Sequence, residues 1–144
     1  MAKMYLIFFT FFIILFNNLT YSQKNTKVIN LTSETFRTKV YDYKNSKEWK
    51  YKGDKPAIID FYADWCAPCR IISPYMDEIS IKYANKIYVY KVNIDQEKEV
   101  TKYLGIYSIP TVLFVPLKGQ PQVLLGAHPK SEYYKLINNF LNVQ

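Results

Sequence analysis

The chain has 144 residues, with 19 Lys and Arg against 12 Asp and Glu, a formal net charge of +7, and 49% hydrophobic residues. That length suits one compact domain and leaves no room for two once an N-terminal segment is set aside. Two cysteines and a single histidine fall one ligand short of a closed structural zinc site, and no recognised nucleic-acid motif accompanies the basic excess.

Lys3 precedes an apolar or near-apolar run from Met4 to Phe16, followed by Asn17-Asn18 and a tail ending Thr20-Tyr21-Ser22. This is the layout of a secretory signal peptide, with cleavage expected near Ser22-Gln23. The run falls short of the roughly 20 residues that span a bilayer, so an uncleaved anchor is the weaker reading. Residues 1–22 are read as signal, 23–27 as a polar lead-in and 28–144 as the folded domain. The mature protein is expected outside the cytoplasm, periplasmic or secreted.

Val28 to Leu31 reads as a short first strand. Thr32-Ser33 then offers a helix cap, and Phe36, Val40, Tyr43 and, less regularly, Trp49 mark an amphipathic helical segment ended by the turn Gly53-Asp54-Lys55-Pro56. Seven basic residues crowd Arg37 to Lys55 and are expected on a solvated helix face. Ala57 to Tyr62 is a mostly continuous apolar run, the pattern of a central strand buried on both faces. A second helix begins near Cys66 with Ile72, Tyr75, Met76, Ile79 and Tyr83 facing the sheet, and Pro74 predicts a kink. Ile87 to Val92 is a third strand, Gln96 to Leu104 a short helix closed by Gly105. Thr111–Val115 and Gln122–Leu125 form an antiparallel hairpin, and a last helix starts near Pro129. The order implies an α/β fold, one mixed sheet of about five strands flanked by about four helices.

The chemistry concentrates in Trp65-Cys66-Ala67-Pro68-Cys69, which holds both cysteines. A disulfide closing so small a loop restrains the unfolded chain little, so a purely structural bridge is disfavoured. At a helix start, the Cys66 sulfur meets unpaired N–H groups and the positive end of the helix, which favour thiolate and make it the attacking residue. Cys69, one turn on, is expected to be more shielded and to resolve the mixed disulfide. Pro68 suits the first helical turn and stiffens the spacer. Trp65 reads as a wall of the substrate surface, with a core aromatic as the alternative.

Asp60 lies inside the apolar strand, where a carboxylate is costly unless paired, protonated or functional. Burial is expected to raise its pKa and make it the proton acceptor and donor for Cys69. Lys91, on a neighbouring strand, is either its moderator or a solvent-facing charge. Pro110, at the entrance of a strand, is a place where a cis peptide is allowed.

Phe61 to Arg70, Pro74, Lys91 to Asp95, Gly105-Ile106, Ile109-Pro110-Thr111 and Gly126 together resemble the thioredoxin family, over roughly residues 27–142. The resemblance implies the thioredoxin fold and a general protein-disulfide reductase with no cofactor beyond a redox-active Cys66–Cys69 disulfide. It makes Cys66 the nucleophile, Cys69 the resolving cysteine, Asp60 the buried carboxylate, Lys91 its neighbour and Pro110 a cis-proline. Trp65, Ala67, Pro68, Ile109 and Gly126 would border the groove for disulfide-containing client proteins. Ala67 departs from the family's commonest spacer, and Tyr41 to Asp54 is longer than the usual connection, resembling some exported bacterial members.

A reductase of exported proteins, resupplied by a membrane electron donor and working as a monomer, is the function expected. An oxidase or isomerase built on the same pair is the alternative, although the stretch between Cys69 and Pro110 leaves no room for the inserted helical domain of dedicated oxidases. A non-catalytic docking module is a third.

Overall fold

A computed structural model describes residues 27–144. The expected signal segment, 1–22, and most of the lead-in lie outside the described residues. Among the described residues no helix is long and apolar enough to cross a membrane.

Five strands, β1 (Val28–Asn30), β2 (Ala57–Tyr62), β3 (Tyr88–Asn93), β4 (Thr111–Val115) and β5 (Gln122–Leu125), form one sheet in the order β1-β3-β2-β4-β5. The pairs β1–β3 and β2–β3 are parallel; β2–β4 and β4–β5 are antiparallel. The four helices are α1 (Ser33–Lys39), α2 (Ala67–Lys82), α3 (Lys98–Tyr103) and α4 (Lys130–Asn139). The expected mixed sheet with helices on both faces is therefore the observed architecture.

Alternation along β2 divides the core into two layers. Ala57, Ile59 and Phe61 join Phe36, Val40, Tyr90, Val92, Val100 and Leu113 beneath α1 and α3. On the opposite face, Ile58 packs with Ile72, Met76 and Ile79 of α2 and with Tyr133 and Ile137 of α4. All of β2 but Tyr62 is buried, as its run of apolar residues requires, and Asp60 is carried into the interior with it.

The first helix is shorter than its pattern suggests. Thr32 caps it through a reciprocal pair with Thr35, accepting from the Thr35 N–H at 3.1 Å and donating its own N–H to Thr35 Oγ1 at 2.8 Å. It ends at Lys39, and residues 40–56 are irregular. The reason lies at Asp42, whose backbone oxygen accepts from Asn45 and Ser46 N–H and whose carboxylate takes Asn45 Nδ2 at 3.0 Å. Such local polar bonding competes with helix. Tyr41 and Tyr43 remain buried nonetheless. The basic run is thus not a helix face: Arg37 and Lys52 both approach Asp42, at 3.2 and 3.8 Å, and Lys44 meets Glu99 at 2.8 Å.

Gly105 closes α3 with φ of +67°, a left-handed conformation suited to glycine at a helix end. α2 runs through Pro74 to Lys82 as one helix.

Candidate active site

The C-terminal end of β2 delivers the chain to the site. Ile94 N–H bonds Tyr62 O at 2.9 Å and Cys66 N–H bonds Ala63 O at 3.1 Å, which folds Ala63 to Cys66 into a tight approach to α2. Cys66 is the N-cap of that helix, with Ala67 and Pro68 in its first turn. A proline there sacrifices no helical hydrogen bond. Cys66 and Cys69 are joined in a disulfide, their Cα atoms 5.3 Å apart.

The sulfur of Cys66 accepts the backbone N–H of Cys69 at 3.2 Å. This is the interaction a cap side chain makes with an orphan donor of the first turn, here made by sulfur. The expectation that Cys69 is the more shielded thiol is not met: both residues are 3% exposed. Both pack in one small cluster with Ala63, against Tyr62, Ile94 and Ile109. What separates them is Cys66's place as the cap, facing the positive helix end.

Trp65 is 67% exposed, on the surface as expected. Its indole Nε1 donates to Asp95 Oδ2 at 2.8 Å, and Asp95 lies just past Ile94 beyond the β3 end. Nothing local in the sequence joins residues 30 positions apart, so this partnership shows only in the fold. Arg70 likewise donates from Nη1 to Asp64 O at 3.1 Å, bracing the loop on its other side.

The Ile109–Pro110 peptide is cis. Ile109 packs against the small cluster of Ala63, Cys66 and Cys69, and Pro110 O accepts from Gly126 N–H at 2.8 Å. Gly126 has φ of +81°, so the turn after β5 is held against the proline by a residue free to adopt it. Ala67 and Pro68 are exposed beside them. Trp65, Ala67, Pro68, Ile109, Pro110 and Gly126 thus gather around one surface that contains the disulfide. Tyr107, 92% exposed two residues before Ile109, lines a separate cavity with Trp49, Pro121 and Leu125.

Asp60 is fully buried, and neither carboxylate oxygen has a hydrogen-bond partner. Burial pushes its pKa up from 3.8 to about 7, against the opposing pull of the Lys91 charge. Lys91 stands opposite it in the β2–β3 register. The lysine is half-buried; its Nζ lies 4.1 Å from the centre of the Tyr62 ring and 3.4 Å from Ser73 Oγ. Tyr62, Cys69, Ser73 and Lys91 line a common recess of about 210 Å³. A carboxyl that gains and loses its proton near neutrality therefore sits under the same helix as the dithiol. Among the described residues, no three His, Cys, Asp or Glu side chains cluster as metal ligands.

The thioredoxin family model matches residues 27–139. The chain belongs to the thioredoxin family. It is 47% identical to the thioredoxin of Borreliella burgdorferi over 112 residues, covering 78% of this chain and 96% of that protein. Identity to the thioredoxin of Rickettsia bellii is 40% over 96 residues, 67% of this chain and 91% of the relative. Thioredoxin 1 of a Nostoc species is 35% identical over 111 residues, 77% and 94% of the two chains. The fold is the thioredoxin fold, and Cys66 and Cys69 are the redox-active pair of a thiol–disulfide oxidoreductase. Family membership implies disulfide-containing client proteins.

Proposed function

We propose that this thioredoxin-family chain is a protein-disulfide reductase that acts on exported proteins. Export is inferred from Lys3 and the apolar run Met4 to Phe16. The direction of exchange is inferred from the family and from the length of the chain between the dithiol and the cis-proline. The likeness to thioredoxins supports a reductase, and the short stretch between Cys69 and Pro110 leaves no room for the inserted helical domain of dedicated oxidases.

In the reaction, the Cys66 thiolate attacks one sulfur of a client disulfide, and the client's other sulfur leaves as a thiolate. Asp60 then accepts the proton of Cys69, with Lys91 moderating that carboxyl. The Cys69 thiolate attacks Cys66 Sγ, closing the Cys66–Cys69 disulfide and expelling the second client thiol. Two electrons pass to the client, and two thiols of this chain become one disulfide. Trp65, Ala67, Pro68, Ile109, Pro110 and Gly126 form the surface on which an extended client segment lies. A membrane-bound dithiol protein has to return the chain to its reduced state outside the cytoplasm.

Equilibrating the full chain with glutathione buffers of known ratio tests the direction. A Cys66–Cys69 potential well below that of glutathione supports the reductase; one above it replaces this reading with a disulfide oxidase or isomerase. Cys69→Ser is expected to trap clients on Cys66 as mixed disulfides. Full biological function in a Cys66→Ser, Cys69→Ser double variant would instead mean a docking module. Cell fractionation with N-terminal sequencing checks export and cleavage near Ser22-Gln23.

A further inference from the structure

Lys91 and Asp60 face each other across parallel strands, yet the ammonium makes no hydrogen bond to the carboxylate, whose oxygens are both without partners. The charge lies instead over the Tyr62 ring, 4.1 Å from its centre, with Ser73 Oγ accepting a long hydrogen bond of 3.4 Å. Ser73 follows Cys69 by four positions in α2, which puts the two on one face of the helix. Both line the recess of about 210 Å³ that Lys91 and Tyr62 close from the sheet side. That volume holds several waters, so an untethered lysine has bulk solvent within reach of its flexible stem.

We propose that Ser73 is a positioning residue for the exchange reaction: its hydroxyl, with the Tyr62 ring, holds the Lys91 ammonium in the recess beside Cys69 instead of in bulk water. The consequence for the reaction rests on the reading of Asp60 as proton acceptor for Cys69. A charge held in the recess favours the ionised carboxyl, and the attraction weakens with distance and with hydration of the ammonium. Ser73 thereby sets how readily Asp60 surrenders its proton without touching it.

The groups around Asp60 leave this assignment to Lys91. From β3 comes Lys91 itself, from α4 the buried Tyr133, which feels the Asp60 charge but carries none of its own near neutrality. α2 contributes Cys69 to the recess and Arg70 to its rim, and Arg70 is engaged with Asp64 O. β4 offers apolar Val112 in register with Asp60. Lys91 is the cation that both reaches the carboxyl's surroundings and is held by a side chain of α2.

The test follows the Asp60 carboxyl by NMR in the oxidised full chain labelled at its aspartate carbons. Ser73→Ala is expected to raise the midpoint by about half a pH unit, and Ser73→Thr, which keeps the hydroxyl, to restore it. In a Lys91→Met background, Ser73→Ala is expected to add nothing. An unchanged or lowered midpoint in Ser73→Ala, or an undiminished rise without Lys91, overturns the proposal. Oxidised protein reports the carboxyl whatever the direction of exchange. Failure of the Asp60 reading would show separately, as an Asp60→Asn chain that exchanges disulfides at the normal rate.

Discussion

The exposed indole of Trp65 is fixed by Asp95, 30 positions away in sequence, through a 2.8 Å hydrogen bond from Nε1 to Oδ2. The bond ties the loop that carries Cys66 to the end of β3. It also gives the large aromatic beside the disulfide a definite orientation on the surface.

Removing the carboxylate with Asp95→Ala is expected to free the ring. Because the pair is exposed, the effect should be about 1 kcal/mol, roughly a fivefold rise in KM for reduction of a protein disulfide such as insulin. The Cys66–Cys69 potential should stay constant, and the Trp65 fluorescence should depolarise. A changed potential with unchanged KM would assign Asp95 to the dithiol instead of to the client surface.

Asp60 carries a pH signature of opposite sign to a salt-bridged carboxylate. Its folded pKa, about 7, lies above the unfolded value near 3.9. The folded state therefore binds the proton more tightly, and stability falls as pH rises from about 4 to about 7. Asp60→Asn is expected to stabilise the protein at pH 8 by up to about 4 kcal/mol and to have little effect near pH 4. Urea midpoints at the two pH values measure this. Equal gains at both would mean that burial of the charge is not the cause. The same variant should slow closure of the Cys66–Cys69 disulfide.

Glu97 is the N-cap residue of α3, yet it caps α1. Its Oε2 accepts both the backbone N–H and the hydroxyl of Ser33, the latter at 2.8 Å. The negative charge also meets the positive end of that helix. Glu97→Ala is expected to cost about 1–2 kcal/mol in denaturant unfolding, with the redox potential unmoved.

Trp49 anchors the irregular segment by packing on Tyr41, ring centres 4.8 Å apart, while its buried Nε1 has no hydrogen-bond partner. Trp49→Phe, which discards an unused donor but also part of the packed ring, should cost about 1 kcal/mol, whereas Trp49→Ala should cost about 2–4 kcal/mol through the loss of nearly all the packing. Thermal unfolding of the two variants measures how much of the anchor is aromatic packing, and equal losses would mean that the ring is not what holds the segment.

Much of this site was readable because its signals are local. Thr32-Ser33 marks a helix start, although the reciprocal partner Thr35 shows only in the fold. The apolar run around Asp60 announces a buried strand, and Cys66 before Pro68 announces a helix cap. The region after Lys39 misled because Phe36, Val40 and Tyr43 repeat at helical spacing, while the competing bonds at Asp42 depend on side-chain chemistry that periodicity ignores. Equal burial of the two cysteines depends on the cluster they form with Ala63, Ile94 and Ile109. The partners of Trp65 and Lys91 come from other elements, and pairings of that kind are settled only when strands and helices assemble.

β2 has a parallel neighbour on one side and an antiparallel one on the other. Lys91 arrives from the first, and the Pro110 turn from the second. The cation beside Asp60 and the cis-proline turn therefore reach β2 from opposite edges, so a substitution along β3 and one at the start of β4 bear first on different parts of the site.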